Sequence, residues 1–380
     1  MRSIYGELMR VLIVGAGFAG GVIARELAAS NRFRVTVIDK RDHIAGNAYD
    51  PLHPQSGSRY HKYGPHIFHT NNSPIVDYLS RFTDWVPYQH KVRAILPNGL
   101  SAPMPINRAT LNSHYGVELA DEQEMKDFLD SVRKPCASPG NALEYLQSIY
   151  GEELAELFFG RYTRKMWGLE MADMPVAVVA RLPVRYGDDD GYFDDQFQIM
   201  PAQGYLALFE RMLDHPAIDI RLDTAFSRSM ESQFDHVFNS MPIDEYFDNA
   251  FGPLPYRSIK FEHRFDEPYK YDVPTVNFTD TEKYTRKTAW ALYPGCGGEV
   301  GDHVTYEIPC SYEDNNMERY YPIKTVDGWP QRRYKQYAEL AKERQNMTFI
   351  GRCGQYVYYD MHQAVANSLV IARKFIESTD

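Results

Sequence analysis

The sequence contains few cysteines and no long apolar run. Its 380 residues include four cysteines, whose spacing forms neither a CxxC pair nor a zinc-ligand pattern. No uninterrupted apolar stretch approaches the roughly 18 residues that a membrane-spanning helix needs, and the first residues lack the apolar segment of a secretory signal. We therefore expect a cytoplasmic protein without disulfides, a bound metal or a membrane anchor.

The sequence also has a deficit of positive charge. Lys and Arg number 41 against 51 Asp and Glu, which gives a formal net charge of −10 at pH 7. A negative field of this size disfavours nucleic acid and anionic membrane as partners. Any anionic substrate must then be bound by a few local arginines or lysines.

Apolar and tyrosine residues, by contrast, are plentiful. Hydrophobic residues make up 44% of the chain, enough for a packed core, and 28 residues are tyrosine. At about 150 residues per domain, the length predicts two or three domains. Internal repeats and low-complexity segments are absent from the sequence.

The strongest local signal lies near the start of the chain. A four-residue apolar strand pattern at residues 11–14 runs into the turn sequence GAGFAG at residues 15–20. Helical spacing follows, then a second strand pattern at residues 35–38 that ends at Asp39. Strand, glycine turn, helix, strand and acid, in this order, are typical of a dinucleotide-binding unit.

Each conserved feature of such a unit has a physical reason. Gly15 permits the tight turn, Gly17 lets a pyrophosphate approach the backbone, and Gly20 lets helix and strand pack closely. The helix N–H groups face the diphosphate, and Asp39 accepts hydrogen bonds from ribose hydroxyls. Because an acid would repel a 2′-phosphate, Asp39 favours FAD or NAD over NADP.

The rest of the chain is less distinctive. Helical periodicity dominates residues 108–167, and the sequence GDDDG at residues 187–191 predicts a mobile loop. Residues 256–312 are rich in β-formers with regular turn signals, which predicts an antiparallel sheet. Strand patterns recur at residues 235–240 and 348–350, the latter followed by a helix over residues 361–376.

A series of strings along nearly the whole chain resembles the bacterial UDP-galactopyranose mutases, a family of flavoenzymes. They are residues 43–49 (HIAGNAY), 63–70 (YGPHIFHT), 161–168 (RYTRKMWG), 181–186 (RLPVRY), 191–193 (GYF), 201–205 (PAQGY), 284–286 (YTR), 320–323 (YYPI) and 354–361 (GQYVYYDM). Because they occur in one order, the resemblance is specific.

The resemblance implies an α/β fold with a Rossmann-like FAD-binding domain, a helical insertion domain and an antiparallel sheet domain. The boundaries that we predict are residues 1–85, 195–250 and 318–380 for the FAD-binding domain, 100–180 for the helical domain, and 86–99, 181–194 and 251–317 for the sheet domain. The resemblance leaves the oligomeric state open, with a homodimer as one alternative.

The resemblance also implies a chemistry. The enzymes of this family interconvert six- and five-membered ring forms of a nucleotide-linked sugar, with no net redox change but with reduced FAD. Flavin N5 attacks the anomeric carbon and displaces the nucleoside diphosphate; the adduct then opens and recloses through another hydroxyl. The cofactor carries the covalent step, so no Ser-His-Asp or Cys-His constellation is needed.

Site residues follow from the matching positions. Arg181 and Arg286 match the arginines that contact the diphosphate, where a guanidinium can bridge phosphate oxygens, and His69 matches a histidine beside the flavin. The predicted substrate-binding residues are Phe158, Phe159, Tyr162, Thr163, Trp167, Tyr192, Phe193, Asn277, Tyr321, Tyr358 and Asp360. The predicted cofactor-binding residues are Gly15, Gly17, Phe18, Gly20, Asp39, Lys40, Gly46, Asn47, His66, Arg352, Tyr358, Asp360 and Met361.

The chain departs from the family pattern in its outer segments. The string KTAW at residues 287–290 and the string YEIPC at residues 306–310 differ from the usual ones, and residues 89–91 replace a familiar asparagine. These departures bear on which sugar is bound more than on mechanism. UDP-galactopyranose is the leading substrate, with UDP-N-acetylgalactosamine and TDP-fucose as alternatives.

Two hypotheses that assign the chain to other classes of protein compete with the mutase. A flavin oxidoreductase of the amine-oxidase type shares the first unit but needs no diphosphate arginines. A non-catalytic nucleotide-sugar-binding protein would keep the fold without turnover. Arg181 and Arg286, together with the tyrosines, favour the mutase.

Overall fold

The computed structural model of the chain describes residues 8–54, 56–180, 182–298 and 303–379. Within this part of the chain no helix is long and apolar enough to cross a membrane. The α-helices are Phe18–Ala29, Ser73–Leu79, Arg108–Tyr115, Glu122–Val132, Ala142–Leu154, Arg161–Trp167, Gly204–Leu213, Ile243–Tyr246, Trp329–Lys342, Gly351–Gly354 and Met361–Ser378.

A five-stranded parallel sheet contains the predicted dinucleotide unit. Its strands, in spatial order, are Met347–Phe349, His236–Asn239, Met9–Val14, Phe33–Ile38 and Ile218–Arg221. The strands and helices predicted for residues 11–38, 235–240 and 348–376 are all confirmed, with ends that differ by at most two residues. Four of these strands are largely buried, as is typical of a parallel sheet covered by helices, whereas the edge strand Ile218–Arg221 is largely exposed.

A seven-stranded sheet forms the second layer. In spatial order its strands are Tyr321–Pro322, Tyr256–Phe265, His303–Ser311, Arg286–Ala289, Thr275–Phe278, Val92–Ile95 and Ser101–Met104. All neighbours are antiparallel except the pair of Thr275–Phe278 with Val92–Ile95, which runs parallel because a long crossover separates them in sequence.

Two strands of this sheet lie outside the predicted sheet domain. Ser101–Met104 falls in the stretch predicted as helical, and Tyr321–Pro322 falls in the stretch predicted as FAD-binding. Both pair at the sheet edges, where a short strand adds hydrogen bonds without needing a strong propensity of its own. Otherwise the division into domains stays a prediction.

A small antiparallel sheet connects these layers. Its central strand Phe197–Pro201 pairs with Phe68–Thr70 on one side and Trp85–Pro87 on the other. In this sheet His69 lies opposite Gln198. The small sheet therefore brings two segments that are far apart in sequence to one place.

The helical layer contains a π-helical turn. Helix Ala142–Leu154 runs into the π turn Ala155–Gly160, and helix Arg161–Trp167 follows directly. Phe158 and Phe159 lie in the π turn and are buried in the core that this layer shares with the strand Val92–Ile95. π turns inside helices occur often at functional sites.

Candidate active site

The glycine turn lies between the first strand and the first helix of the parallel sheet. A Cβ on Gly20 would overlap the carbonyl oxygen of Gly15, so only glycine fits there. Asp39 accepts a hydrogen bond from the amide of Ala16 at 2.9 Å. The strand, the turn and the acid are thus joined by direct contacts.

Gly17 and Gly46 bring two backbone segments together at this turn. Gly17 is extended and starts helix Phe18–Ala29, and no side chain of the described residues caps that helix. A Cβ on Gly46 would lie 2.8 Å from the Cα of Gly17. The uncapped N–H groups of the first helical turn therefore adjoin bare backbone, where a diphosphate can approach.

Three further residues predicted to contact the cofactor occupy different positions. Phe18 is buried, and its ring packs edge-on against Phe209 at 4.8 Å. Lys40 is exposed and lies 3.1 Å from a carboxylate oxygen of Glu318. Asn47 accepts a hydrogen bond from Arg41 at 3.0 Å and borders the main cavity.

The main cavity has a volume of about 470 Å³ and is lined by residues of the helical layer, the seven-stranded sheet and the small sheet. Its size is that of a small-molecule site. Every predicted substrate-binding residue lines it, together with Arg286 and His69 and with part of the predicted cofactor set. The cofactor-set residues on its wall are Asn47, His66, Arg352, Tyr358, Asp360 and Met361.

Arg286 is held by its neighbours on the sheet. In the strand register Arg286 lies between Asn277 and Glu307, so the three side chains share one sheet face. Its guanidinium lies 3.3 Å from Oδ1 of Asn277, 3.4 Å from Oε1 of Glu307 and 3.4 Å from the hydroxyl of Tyr162. Burial raises the pKa of Glu307, and the charge of Arg286 opposes that rise.

A second guanidinium lies against two of the predicted tyrosines. The ring of Tyr321 stacks on that of Tyr358 at 5.5 Å, and Arg352 lies 4.8 Å from the centre of the Tyr358 ring. Arg352 also donates to the carbonyl oxygens of Tyr320 and Tyr359. These contacts fix Arg352 with one face of its guanidinium on aromatic rings.

Two basic residues anchor the helix that carries Tyr162 and Trp167. Lys165 donates to the carbonyls of Phe278 and Tyr284 at 3.0 and 2.7 Å, and Arg257 donates to the carbonyl of Met166. Phe278 and Tyr284 flank the turn between the strands that carry Asn277 and Arg286. Lys165 therefore links this turn to the helix of Tyr162 and Trp167, whose rings we call the aromatic wall.

Among the described residues, four histidines line the cavity: His66, His69, His90 and His362. Burial lowers the pKa of His66 to about 4 and that of His90 to about 3, so both rings are neutral at pH 7. His66 bonds to the carbonyl of Gly64 at 2.7 Å. The Nδ1 atom of His69 lies 2.7 Å from Oδ2 of Asp195.

The predicted mobile loop is adjacent to this site. Arg181, which precedes it, lies outside the described residues. Within residues 187–191, Asp188 pairs with Arg108 and Asp190 pairs with Lys91. Both are exposed ion pairs, which contribute only about 0.2–1 kcal/mol each, so whether the loop opens stays a prediction.

Four residues that the sequence analysis did not assign to the site belong to its surroundings. They are His90, Lys165, Asp195 and Glu307. His90 and Glu307 fall in segments noted only as departures from the family pattern. Glu307 could have been found from strand register, and Asp195 from its place two residues after Phe193.

The comparisons with known proteins agree with this architecture. The family model described as GLF, UDP-galactopyranose mutase, matches residues 157–358, and that of an NAD(P)-binding Rossmann-like domain matches residues 13–82. The chain is 34% identical over 369 residues to a probable UDP-galactopyranose mutase of Klebsiella pneumoniae, covering 97% of this chain and 95% of that one. It is also 34% identical over 377 residues to a dTDP-fucopyranose mutase of Escherichia coli, covering 97% and 99%.

Solved structures share the fold at low sequence identity. A reduced UDP-galactopyranose mutase superposes with a TM-score of 0.74 at 15% identity and covers 97% of this chain and 96% of that one. A putative protoporphyrinogen oxidase from Exiguobacterium gives 0.67 at 15% identity, covering 98% and 99%. The fold is therefore shared by mutases and oxidases, whereas the family match over more than half of the chain is specific: the chain belongs to the UDP-galactopyranose mutase family of isomerases.

Proposed function

We propose that the protein is a mutase that uses reduced FAD to interconvert the pyranose and furanose forms of UDP-galactose. The observation that carries the proposal is Arg286, held between Asn277 and Glu307 at the wall of an aromatic cavity. A partly buried guanidinium facing a cavity is suited to a diphosphate, and an amine oxidase has no need of one.

The residues present fit FAD. Gly17 and Gly46 leave room for a diphosphate at an uncapped helix start, and Asp39 lies at the strand end where a ribose would be bound. Asn47 and Arg352 extend this surface into the cavity. When bound in its reduced form, FAD supplies the nucleophile for the anomeric carbon.

Arg286 has the task of stabilising the leaving group. As the anomeric bond breaks, negative charge grows on the diphosphate, and a preorganised guanidinium lowers the barrier by stabilising that charge. Glu307 and Asn277 keep the guanidinium in place before the substrate arrives. The resemblance assigns Arg181 the same task, and we propose that it acts as the second cation.

The aromatic wall is suited to the nucleobase. Phe158 and Phe159 are buried behind the wall, while Tyr162 and Trp167 border the cavity on the helix that Lys165 anchors. Aromatic rings can stack on a pyrimidine. The stacked pair of Tyr321 and Tyr358 offers hydroxyls that bind phosphate oxygens without adding charge.

The sugar has one specific alternative. The chain is as similar to the dTDP-fucopyranose mutase as to the probable UDP-galactopyranose mutase, with 34% identity to each. TDP-fucose is therefore the second candidate substrate.

The test is turnover by the purified, FAD-loaded protein under anaerobic conditions with dithionite. UDP-galactopyranose and TDP-fucopyranose are incubated separately, and the products are separated by chromatography. We expect conversion of UDP-galactopyranose to its furanose isomer, and little conversion when reductant is omitted. A reduced protein that converts neither sugar, or one that consumes oxygen with an amine, would overturn the proposal.

A variant at the glycine turn tests the cofactor separately. Gly17→Val places methyl groups where the diphosphate would approach, so we expect colourless protein that FAD cannot reconstitute, measured by flavin absorbance. The matched control is Gly140→Ala, where a Cβ meets only ordinary contact with Glu144 and the yellow colour should remain. Equal flavin content in both variants would place the cofactor elsewhere.

A further inference from the structure

The bend before the central strand of the small sheet brings two groups to His69. The ring of Phe193 stacks on the His69 ring at 3.8 Å with an interplanar angle of 12°. Two residues later, the carboxylate of Asp195 lies 2.7 Å from Nδ1 of the same imidazole. Gln198, which lies opposite His69 in the sheet, donates to the carbonyls of Phe193 and Asp195 and holds the bend.

This arrangement determines where the proton of His69 lies. An ionised carboxylate only accepts hydrogen bonds, so the short contact requires the proton on Nδ1. In the part of the chain that the structure describes, Nε2 of His69 has no hydrogen-bond partner, and His69 borders the cavity. The lone pair of Nε2 is therefore available to a group inside the cavity.

We propose that Asp195 is a positioning residue that fixes this tautomer of His69, so that Nε2 accepts the proton of the sugar hydroxyl that closes the new ring. The inference rests on the proposed function. Ring contraction requires that the C4 hydroxyl lose its proton as its oxygen closes the new ring, and that the former ring oxygen gain a proton as a hydroxyl. Because the ring opens before it closes, the former ring oxygen gains its proton first, from solvent. Nε2 then takes up the proton of the C4 hydroxyl as that oxygen closes the new ring and afterwards releases it to solvent, so one proton is gained, one is lost and the balance closes.

The charged and titratable groups around His69 are compatible with this role. The His362 ring lies edge-on to that of His69 at 5.9 Å. The His90 ring lies 6.1 Å from that of Phe193, with its Nδ1 bonded to the Tyr88 hydroxyl. Asp360 and Arg286 line the same cavity. Only Asp195 bonds the His69 ring among the described residues.

The test uses FAD-loaded protein with ¹⁵N-labelled histidine. Nitrogen NMR reports which ring nitrogen carries the proton without any turnover, and the spectrum of His69→Gln identifies the His69 signals. We expect Nδ1–H in the wild type and a mixture of tautomers in Asp195→Asn, because an amide can donate as well as accept. In the same variant kcat should fall at least about tenfold while KM stays within about twofold, since general acid–base transfer contributes about 100- to 10,000-fold.

The matched control is Glu153→Gln. The exposed Glu153 bonds the half-buried His114 at 3.1 Å in the helical layer, so this variant removes the same kind of histidine–carboxylate pair outside the cavity. It should alter only the His114 signals and leave kcat unchanged.

A double variant separates positioning from general damage. If Asp195 acts through His69, then Asp195→Asn should lower kcat no further once His69→Gln is present. Additive losses, an unchanged tautomer, or a changed tautomer with wild-type kcat would each overturn the inference. A third outcome is that both proteins show the expected tautomers but the wild type converts no sugar. That result would refute the proposed function, and with it the proton-accepting role of His69.

Discussion

The glycine turn and the main cavity that contains Arg286 are built in opposite ways. The turn uses contiguous residues, 15–20, and its specificity lies in bare backbone: where Gly20 packs on Gly15, a side chain would overlap. The cavity uses side chains from many separated segments, and Arg286 owes its place to residues 9 positions before it and 21 after it. Backbone shape is encoded locally, whereas a charged site is encoded by strand pairing.

The strongest test of this contrast is Arg286→Ala. Removing the guanidinium should lower kcat by about 100-fold or more, or roughly 3 kcal/mol of transition-state stabilisation. The variant should also lose stability by about 3–5 kcal/mol, because Glu307 is 3% exposed and would be left without its cation. Steady-state kinetics and urea unfolding measure the two effects independently.

The double variant Arg286→Met/Glu307→Leu separates those effects. Replacing both partners of a buried ion pair by apolar residues is often neutral or stabilising, so stability should recover while kcat stays about 100-fold or more below that of the wild type. Recovery of activity together with stability would mean that Arg286 serves only the fold.

At the glycine turn, the corresponding change is Gly20→Ala. One added methyl overlaps the Gly15 carbonyl and must move backbone, so we expect about 3 kcal/mol of destabilisation. Gly140→Ala, which adds the same methyl in ordinary contact, should change stability by less than about 0.5 kcal/mol. Equal unfolding midpoints for the two variants would contradict the contrast between local and long-range encoding.

The smallest effect concerns His90 and pH. Its pKa is about 3 in the fold against 6.5 for the ordinary group, so between pH 4 and 6 the unfolded chain binds a proton that the folded chain does not. The folded state is thus favoured above pH 6.5 and loses this stabilisation as pH falls. His90→Gln should flatten the rise of unfolding free energy with pH by about 1.4 kcal/mol per pH unit in that window. Parallel curves for the variant and the wild type would show that His90 is not kept neutral by burial.

Sequence reasoning succeeded where chemistry is contiguous. The first strand, the glycine turn and the second strand could be placed because each carries its own pattern within forty residues. The family motifs then led to Arg286 and to the aromatic wall, and the structure brings these together at one cavity. Their individual roles stay predictions.

Sequence reasoning failed where a contact depends on register. Asp195 meets His69 across 126 residues only because Phe197–Pro201 pairs with Phe68–Thr70. Ser101–Met104 became a strand because an open sheet edge was available, which no local pattern of that proline-containing segment indicates. The conformation at such positions is determined by the segments that pair with them, and a single sequence does not show which segments pair.

The π turn at Ala155–Gly160 determines how the residues of the following helix, Arg161–Trp167, are rotated about the helix axis. One residue of α-helix corresponds to a rotation of about 100° about the axis. A π turn takes up one more residue than an α-helical turn, so the same residues wound as a regular α-helix would turn the next segment by about that angle. Tyr162 and Trp167 would then face away from the cavity while Leu146 and Leu154 upstream kept their packing. The orientation of the aromatic wall thus depends on the rotational phase that the π turn sets, and loss of the π turn alone would change it without removing any of its side chains.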